Sequence, residues 1–284
     1  MRDNTRKLGG RGAAVGRAAF LLLVAATLAL GRVPASGADP TAPGIACPIA
    51  QAILGEVGQP TPEISTDEMV RFLAARSRLV IDVRPYDEFA VSHIPGSVNT
   101  APKPGLPMSQ YTSDVGEIDK IARGNKSTPV ILYCNGPFCG KSKRLAADLL
   151  AAGYTDVRRY QLGIPVWRAL GHATQVEAGA IWSTLDKDRT AVVIDAREPG
   201  AFQSGSLPGA RSVRSGEVAK AKDDGRLPML DHNTRIFVIG KDETEAAAAA
   251  EEIARNAFHN VSFFAGSVET LKQGREHAGA PGSR

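Results

Sequence analysis

LVIDVRPYDEF at Leu79–Phe89 returns 113 residues later as VVIDAREPGAF at Val192–Phe202. A second pair of segments keeps the same offset, because SHIPGSV at Ser92–Val98 corresponds to GSLPGAR at Gly205–Arg211. Self-similarity at a fixed offset indicates a repeated structural unit. The sequence therefore predicts two copies of one unit, joined near residues 171–174.

Each copy combines apolar runs with segments at helical spacing. In the first copy, a capping box at Ser65–Glu68 and the apolar residues after it predict a helix to about Ala75. A later helix is predicted over 142–152, and short apolar runs predict strands at 79–81, 130–133 and 157–161. Because strands alternate with helices, we predict an α/β fold in which each tandem domain has a mostly parallel central sheet flanked by helices.

The composition is that of an ordinary globular protein. The chain has 284 residues, of which 43% are hydrophobic and 23% charged, so it is too apolar for disorder and too mixed for collagen or a coiled coil. Its length suits two domains, each large enough to bury a core. Three cysteines are too few for a disulfide scaffold of this size, so the core must be hydrophobic.

The excess of basic over acidic residues comes from the segment before residue 39. The formal net charge is +4, but residues 1–38 contain six basic residues against Asp3 alone, and the remainder is close to neutral. A basic surface is the electrostatic signature of a nucleic-acid partner, and none is predicted after residue 38. We therefore expect no nucleic-acid partner.

The first 38 residues follow the order of a secretory signal peptide. A basic start precedes an apolar run from Ala18 to Leu30, and Ser36–Ala38 has the small residues of a cleavage site. The alternative is a membrane anchor, but the apolar run is shorter than the roughly twenty residues that span a bilayer. We predict an exported protein, periplasmic or secreted, with no stable membrane anchor after signal removal. A linker is predicted over 39–62 and a disordered tail over 276–284.

Cys134 has the clearest chemical setting in the sequence. It follows the predicted strand at 130–133 directly and begins a Gly/Pro loop that leads into a helix. Backbone N–H groups and a helix N-terminus at such a turn stabilise a thiolate, which lowers the pKa of the thiol and raises its reactivity. A buried, inert cysteine is the alternative. We predict that Cys134 is a reactive nucleophile, whereas the role of Cys47 is left open.

Further residues of the first copy occur in a specific order: Val80-Ile-Asp82-Val-Arg84, Glu88-Phe89, Ser92-His93-Ile-Pro95-Gly96-Ser-Val-Asn99, Tyr133-Cys134, Gly153-Tyr154, Gly163 and Trp167. In this order and spacing, the repeated unit resembles the rhodanese-like domain, and the chain resembles a tandem-rhodanese sulfurtransferase. The resemblance implies a catalytic rhodanese-like domain over 63–172 and a second copy over 173–275.

The resemblance also implies a reaction. Cys134 would take a sulfane sulfur from thiosulfate or a related donor, form a persulfide, and pass the sulfur to a thiol or cyanide. Arg84 would bind the anionic end of the donor, with an ion pair to Asp82 or Glu88 as the equal alternative. The loop is expected to supply the remaining substrate-binding groups, at Asn135, Gly136, Phe138, Gly140 and Lys141.

The two copies differ at the predicted site. Alignment of their strands places Gly240 where the first copy has its nucleophile, and Ser206 where it has His93. We therefore predict that the second domain is inactive. In the first copy, His93 lies in a tight Pro-Gly turn, so we assign it a structural role near the site, together with Asp82.

The first loop, CNGPFCGKS at Cys134–Ser142, also departs from the family. It is about two residues longer than the common form and contains a second cysteine, Cys139. Cys139 could resolve a persulfide or sulfenate at Cys134 into a disulfide, although the sequence leaves this pairing open. The alternative function is an exported thiol–disulfide redox protein or sensor that uses both cysteines, with a protein thiol as partner; a third is a binding module. No cofactor and no metal are predicted, because further nearby ligands are lacking.

Overall fold

A computed structural model describes residues 59–101, 113–137 and 139–279 of the chain. The predicted signal peptide, most of the predicted linker and Phe138 lie outside these residues. Within the described ranges, no helix is long and apolar enough to cross a membrane.

The first domain alternates helices with short parallel strands. Its elements are α1 Thr66–Ala75, β1 Leu79–Asp82, α2 Tyr86–Val91, β2 Val98–Asn99, α3 Val115–Ile121, β3 Val130–Tyr133, α4 Gly140–Ala151, β4 Val157–Tyr160 and α5 Gly163–Ala169. The strands form a parallel sheet in the order β2-β1-β3-β4. The predicted capping box starts α1, because the Ser65 hydroxyl accepts from the Glu68 N–H while the Glu68 carboxylate accepts from the Ser65 N–H.

The second domain repeats this pattern with one additional strand at its edge. Its elements are β5 Thr174–Val176, α6 Ala178–Lys187, β6 Val192–Asp195, α7 Pro199–Gln203, β7 Arg211–Ser212, α8 Val218–Asp223, β8 Ile236–Gly240, α9 Glu243–Arg255, β9 Val261–Ser267 and α10 Val268–Gly279. All neighbours in the order β5-β9-β8-β6-β7 are parallel. The predicted α/β fold of two tandem domains is confirmed. A disordered tail is predicted over 276–284, but α10 continues to Gly279, so the first residues of this range are helical.

Both faces of each sheet are buried, as is typical of parallel sheets. In the first domain, Ile81 and Leu132 pack with α4 on one face, whereas Ile131 and Tyr133 pack with α1 and α5 on the other. Alternate residues of one strand therefore serve two separate cores. This arrangement fixes β3 from both sides and holds the loop that follows it.

The two domains meet through backbone hydrogen bonds to β5. The His93 N–H donates to the Gln175 carbonyl oxygen at 3.0 Å, and the Gln175 N–H donates to the His93 carbonyl oxygen at 2.8 Å. The Glu177 N–H donates to the Ala90 carbonyl oxygen at 2.8 Å, and the buried Ser92 hydroxyl donates to Thr174 Oγ1. The end of α2 in the first domain is therefore bonded to an edge strand of the second.

Candidate active site

The candidate site is the loop of residues 134–139, which joins β3 to α4. Cys134 is 2% exposed at the carboxyl end of β3, and Cys139 lies partly exposed at the N-cap of α4. A disulfide joins the two residues, with their Cα atoms 6.2 Å apart. The Cys139 N–H donates to the Gly136 carbonyl oxygen at 3.0 Å and so closes the turn between them. The structure thus pairs the two cysteines, a point that the sequence left open.

Gly163, at the start of α5, lies in close contact with the backbone of this loop. Its φ is +63°, and a Cβ at this position would lie within 3.0 Å of the Cys134 carbonyl oxygen and of the Gly136 backbone. The next residue, Ile164, donates its N–H to the same carbonyl oxygen at 3.2 Å. The backbone of α5 and that of the loop can approach this closely only because residue 163 has no side chain.

Asn135 and Glu88 connect the loop to α2. The Asn135 side-chain amide donates to Glu88 Oε2 at 2.7 Å, and Arg84 Nη1 lies 3.9 Å from the same oxygen. Asn135 is exposed, whereas Gly136 is buried, so the two predicted substrate-binding residues lie in different environments.

The Arg84 guanidinium is engaged within the protein. Its Nε donates to both carboxylate oxygens of Asp82, at 2.9 and 3.0 Å, and its Nη2 donates to Asp82 Oδ2 and to the Ser92 carbonyl oxygen. Burial opposes the charge of Arg84, but the hydrogen bonds and charge of Asp82 outweigh it and raise the pKa of Arg84 above its usual value. The geometry therefore supports the ion-pair interpretation of Arg84, and its donor-binding role stays a prediction.

The second domain contains the same ion pair without a nucleophile. Arg197 donates to both carboxylate oxygens of Asp195, and its Nη2 donates to the Gly205 carbonyl oxygen at 2.8 Å. Gly205 corresponds to Ser92 at the constant offset of the repeat. The pair recurs in a domain that has no cysteine at the corresponding position. Its common role in both domains is therefore structural: it bonds the end of β1 or β6 to the backbone of Ser92 or Gly205.

His93 is buried and neutral. Its ring Nδ1–H donates to the Phe89 carbonyl oxygen at 2.8 Å, and the ring stacks on that of Phe89 with centroids 3.9 Å apart. Burial lowers the pKa of His93 to about 4. A neutral, fully packed imidazole at the domain contact fits the structural role that the turn sequence predicted.

Two polar residues of β4 and its end were not identified from the sequence. Arg159 is fully buried, and its Nε and Nη2 lie 3.4 and 3.3 Å from the hydroxyl oxygen of Ser142 in the first turn of α4. Gln161 follows β4 as Cys134 follows β3, and the two strands are paired in register up to Tyr160 and Tyr133. A period-two alternation places both polar residues on the face of Val157, which is the only sequence signal that could have indicated them.

Gln161 has an unusual environment for an amide. The residue is 3% exposed, and in the part of the chain that the structure describes neither its Oε1 nor its Nε2 has a hydrogen-bond partner. A buried amide without a partner costs free energy. Because β4 pairs with β3 and Gln161 directly follows it, Gln161 and Cys134 follow paired residues at the same edge of the sheet.

The remaining predicted residues lie at the start of α4. Gly140 is the first residue of the helix and is exposed, and Lys141 in the same turn is partly exposed. Phe138 is outside the described residues. Among the side chains that the structure describes, no group of three or more His, Cys, Asp or Glu residues could hold a metal ion.

The corresponding site of the second domain is closed. Here β8 ends at Gly240 and α9 begins at Glu243, so only residues 241–242 join them. A Cβ at Gly240 would lie 2.9 Å from the Ala246 backbone nitrogen. The position that corresponds to Cys134 therefore has no room for a side chain, and the helix begins too soon to form a loop around one.

Fold and loop together define a two-domain α/β protein in which one domain alone contains a cysteine loop. The model of the family described as "rhodanese-like domain" matches residues 65–170 and 177–273. The chain belongs to this family and contains two copies of its domain.

The comparisons give distant relatives. The HTH-type transcriptional regulator Rv0324 of Mycobacterium tuberculosis is 29% identical over 126 residues, which are 43% of this chain and 49% of that protein. The thiosulfate sulfurtransferase of Pseudomonas aeruginosa is 21% identical with a TM-score of 0.32, and the match covers 75% of this chain and 42% of that one. The 3-mercaptopyruvate sulfotransferase SseA of Escherichia coli is 17% identical with a TM-score of 0.32, over 73% and 98%. The chain thus spans about half the length of the curated relative.

Proposed function

We propose that the protein is a sulfurtransferase in which Cys134 carries the transferred sulfur as a persulfide. The observation that carries this proposal is the position of Cys134 at the carboxyl end of β3, in a loop that closes onto the N-terminus of the 12-residue helix α4. Membership of the rhodanese-like family and the closed loop of the second domain support the assignment of this chemistry to the first domain alone.

The first step requires the reduced form of the loop. The Cys134 thiolate attacks the outer sulfur of thiosulfate, the sulfur–sulfur bond of the donor breaks, and sulfite leaves. Helix α4 has its positive dipole end at the loop, which favours both the thiolate and the terminal sulfur anion of the product. In the second step, a thiol or cyanide attacks the outer sulfur of the persulfide and restores Cys134.

Donor binding is assigned to the loop and the first turn of α4. Lys141 provides a cation in the first turn of α4, and Asn135, Gly136 and Gly140 provide polar and backbone groups for the bound sulfur. Phe138 is assigned to the same task from the sequence alone. Arg84 acts through Glu88, which accepts the hydrogen bond from Asn135. The protein needs no cofactor for this reaction.

The proposal is tested by intact mass on the reduced Cys139→Ser protein before and after thiosulfate. We expect a gain of one sulfur, about 32 Da, with release of an equal amount of sulfite, as nucleophilic catalysis by Cys134 requires. The Cys134→Ser/Cys139→Ser protein is the matched control and should gain nothing. An equal gain in the double variant would assign the sulfur to another group and reject the proposal.

The disulfide favours a second candidate, a thiol–disulfide redox protein or sensor. In that case both cysteines are essential, and the protein exchanges disulfides with a protein thiol in an oxidising compartment. Cyanide-dependent sulfur transfer distinguishes the two candidates, because the sulfurtransferase keeps this activity in Cys139→Ser and the redox protein has none. Export, on which this environment depends, is part of the proposal.

A further inference from the structure

The cysteine loop contains a second thiol that can reach the sulfur-carrying atom. The disulfide shows that Cys139 Sγ bonds to the Sγ of Cys134, which in the proposed function is the inner sulfur of the persulfide. An external acceptor removes the sulfane sulfur by attack on the outer atom. A thiol that attacks the inner atom instead releases that sulfur in reduced form.

We propose that Cys139 resolves the Cys134 persulfide within the loop and releases the sulfane sulfur as hydrosulfide. This inference rests on the proposed function. The Cys139 thiolate attacks Cys134 Sγ, the bond between that atom and the outer sulfur breaks, and the outer sulfur leaves with its bonding pair and a proton as HS⁻. The two cysteines lose two electrons in forming their disulfide, and the sulfane sulfur gains two.

The backbone of the loop already suits this step. In the disulfide form, the Cα separation of 6.2 Å lies within the usual range of about 4.4–6.8 Å, so the loop accommodates the product of this step at an ordinary backbone separation. The turn is closed by the hydrogen bond from Cys139 to Gly136, whose φ of +102° is open to glycine. Cys139 is also at the N-cap of α4, where the helix dipole favours a thiolate.

The two cysteines differ in solvent exposure, and this difference suits Cys134 to carry the sulfur and Cys139 to react with outside thiols. Cys134 is buried against the core that includes Leu132 and Leu145, whereas Cys139 is partly exposed. An outside thiol therefore has less access to Cys134 Sγ than Cys139 has. The same difference predicts how the cycle restarts, since a dithiol reductant attacks the exposed sulfur of Cys139 and releases Cys134 as the thiolate.

The second domain shows what the extra loop residues add. Residues 241–242 alone join β8 to α9, whereas residues 134–139 join β3 to α4. The longer connection places one cysteine at the end of the strand and the other at the start of the helix. The protein then acts on sulfane sulfur as a dithiol-dependent, sulfide-releasing enzyme, in addition to transferring sulfur to outside acceptors.

A single-turnover experiment tests this inference. The reduced full-length protein, freed of reductant under anaerobic conditions, receives one equivalent of thiosulfate and no other thiol. The wild type should release about one equivalent each of sulfite and sulfide and lose about 2 Da, as disulfide formation requires. Cys139→Ser should release sulfite, keep about 32 Da and release no sulfide. Cys47→Ser is the matched control and should behave as the wild type.

The outcomes separate the two proposals. A wild type that keeps the added sulfur and releases no sulfide rejects the resolving step but leaves the sulfurtransferase intact. Failure of Cys139→Ser to gain sulfur or release sulfite rejects the proposed function instead. Sulfide yield per protein should not change on tenfold dilution, because the step is internal. A yield that falls with dilution would place the attack between molecules and overturn the inference.

Discussion

Arg84 and Arg197 show at the scale of single residues that both domains contain the same buried ion pair, although only the first contains the cysteine loop. Each guanidinium binds the carboxylate two residues before it and the carbonyl oxygen eight residues after it. Both carboxylates are fully buried, so removal of the cation leaves an uncompensated charge. We infer that the main role of the arginine–aspartate pair is to stabilise the fold. In the first domain it affects the cysteine loop only through Glu88, which accepts a hydrogen bond from Asn135.

Replacement of either arginine tests this inference. We expect Arg84→Ala and Arg197→Ala each to lower the free energy of unfolding by about 3–5 kcal/mol, the usual cost of breaking a buried pair from one side. Urea denaturation measures the loss. Arg84→Lys, which keeps the charge, should leave the KM for thiosulfate within about twofold of the wild-type value; a much larger KM would restore the donor-binding role.

Replacement of Gln161 should increase stability, whereas replacement of either arginine should decrease it. Because its buried amide has no partner among the described residues, replacement by an apolar side chain of similar length removes a desolvation cost. Gln161→Met should raise the free energy of unfolding by about 1 kcal/mol. The exposed Gln203→Met is the matched control and should change it by less than about 0.5 kcal/mol. A loss of stability in Gln161→Met would show that the amide is satisfied in solution.

At the scale of elements, the site depends on the close contact between α5 and the cysteine loop. Gly163 permits this contact, because a Cβ at this position would overlap the Cys134 carbonyl oxygen that accepts the hydrogen bond from the Ile164 N–H. The position of Cys134 is therefore set from two sides. One is β3, and the other is the start of the helix that follows β4.

Gly163→Ala should displace the loop. The new Cβ would overlap the loop backbone, so we expect persulfide formation to slow by at least about tenfold, since a displacement of about 1 Å costs up to about 100-fold in rate. Gly153→Ala is the matched control. Its φ of +91° carries similar strain, but a Cβ there meets no described atom within 4 Å. Equal effects in the two variants would mean that strain alone, and not the contact, is responsible.

The sequence predicted the elements better than their contacts. Apolar runs such as 130–133 are visible because a strand buried on both faces needs consecutive apolar residues, and the repeat located the second domain. The environments of Arg159, in β4, and of Gln161, directly after it, cannot be predicted, because a polar residue in or next to a strand gives no sign of which helix packs over it. The disulfide was left open because spacing alone does not show whether two side chains face each other.

At the scale of the whole molecule, the protonation of His93 connects pH to the domain contact. The pKa of His93 is lowered from 6.5 to about 4 by burial, so the unfolded chain binds a proton between these values that the folded protein does not. Stability must therefore fall as pH decreases from 6.5 to 4. We expect a loss of about 3 kcal/mol at this one site. His93→Gln should remove this part of the pH dependence in urea denaturation, whereas exposed His259→Gln should retain it.

The domain contact can be weakened at Gln175, in the middle of β5. The Gln175 N–H and carbonyl oxygen both bond to His93, so a proline at this position removes the N–H that joins the domains and leaves the hydrogen bonds of Thr174 and Val176 for β9. Gln175→Ala keeps the backbone donor and is the matched control. If β5 makes the two domains unfold as one unit, calorimetry should show a single transition for the wild type and the control, and two for Gln175→Pro. A single transition in all three would mean that the contacts the proline leaves in place, which include the hydrogen bond from Glu177 to Ala90 and the packing of α2 on α6, are enough to couple the domains.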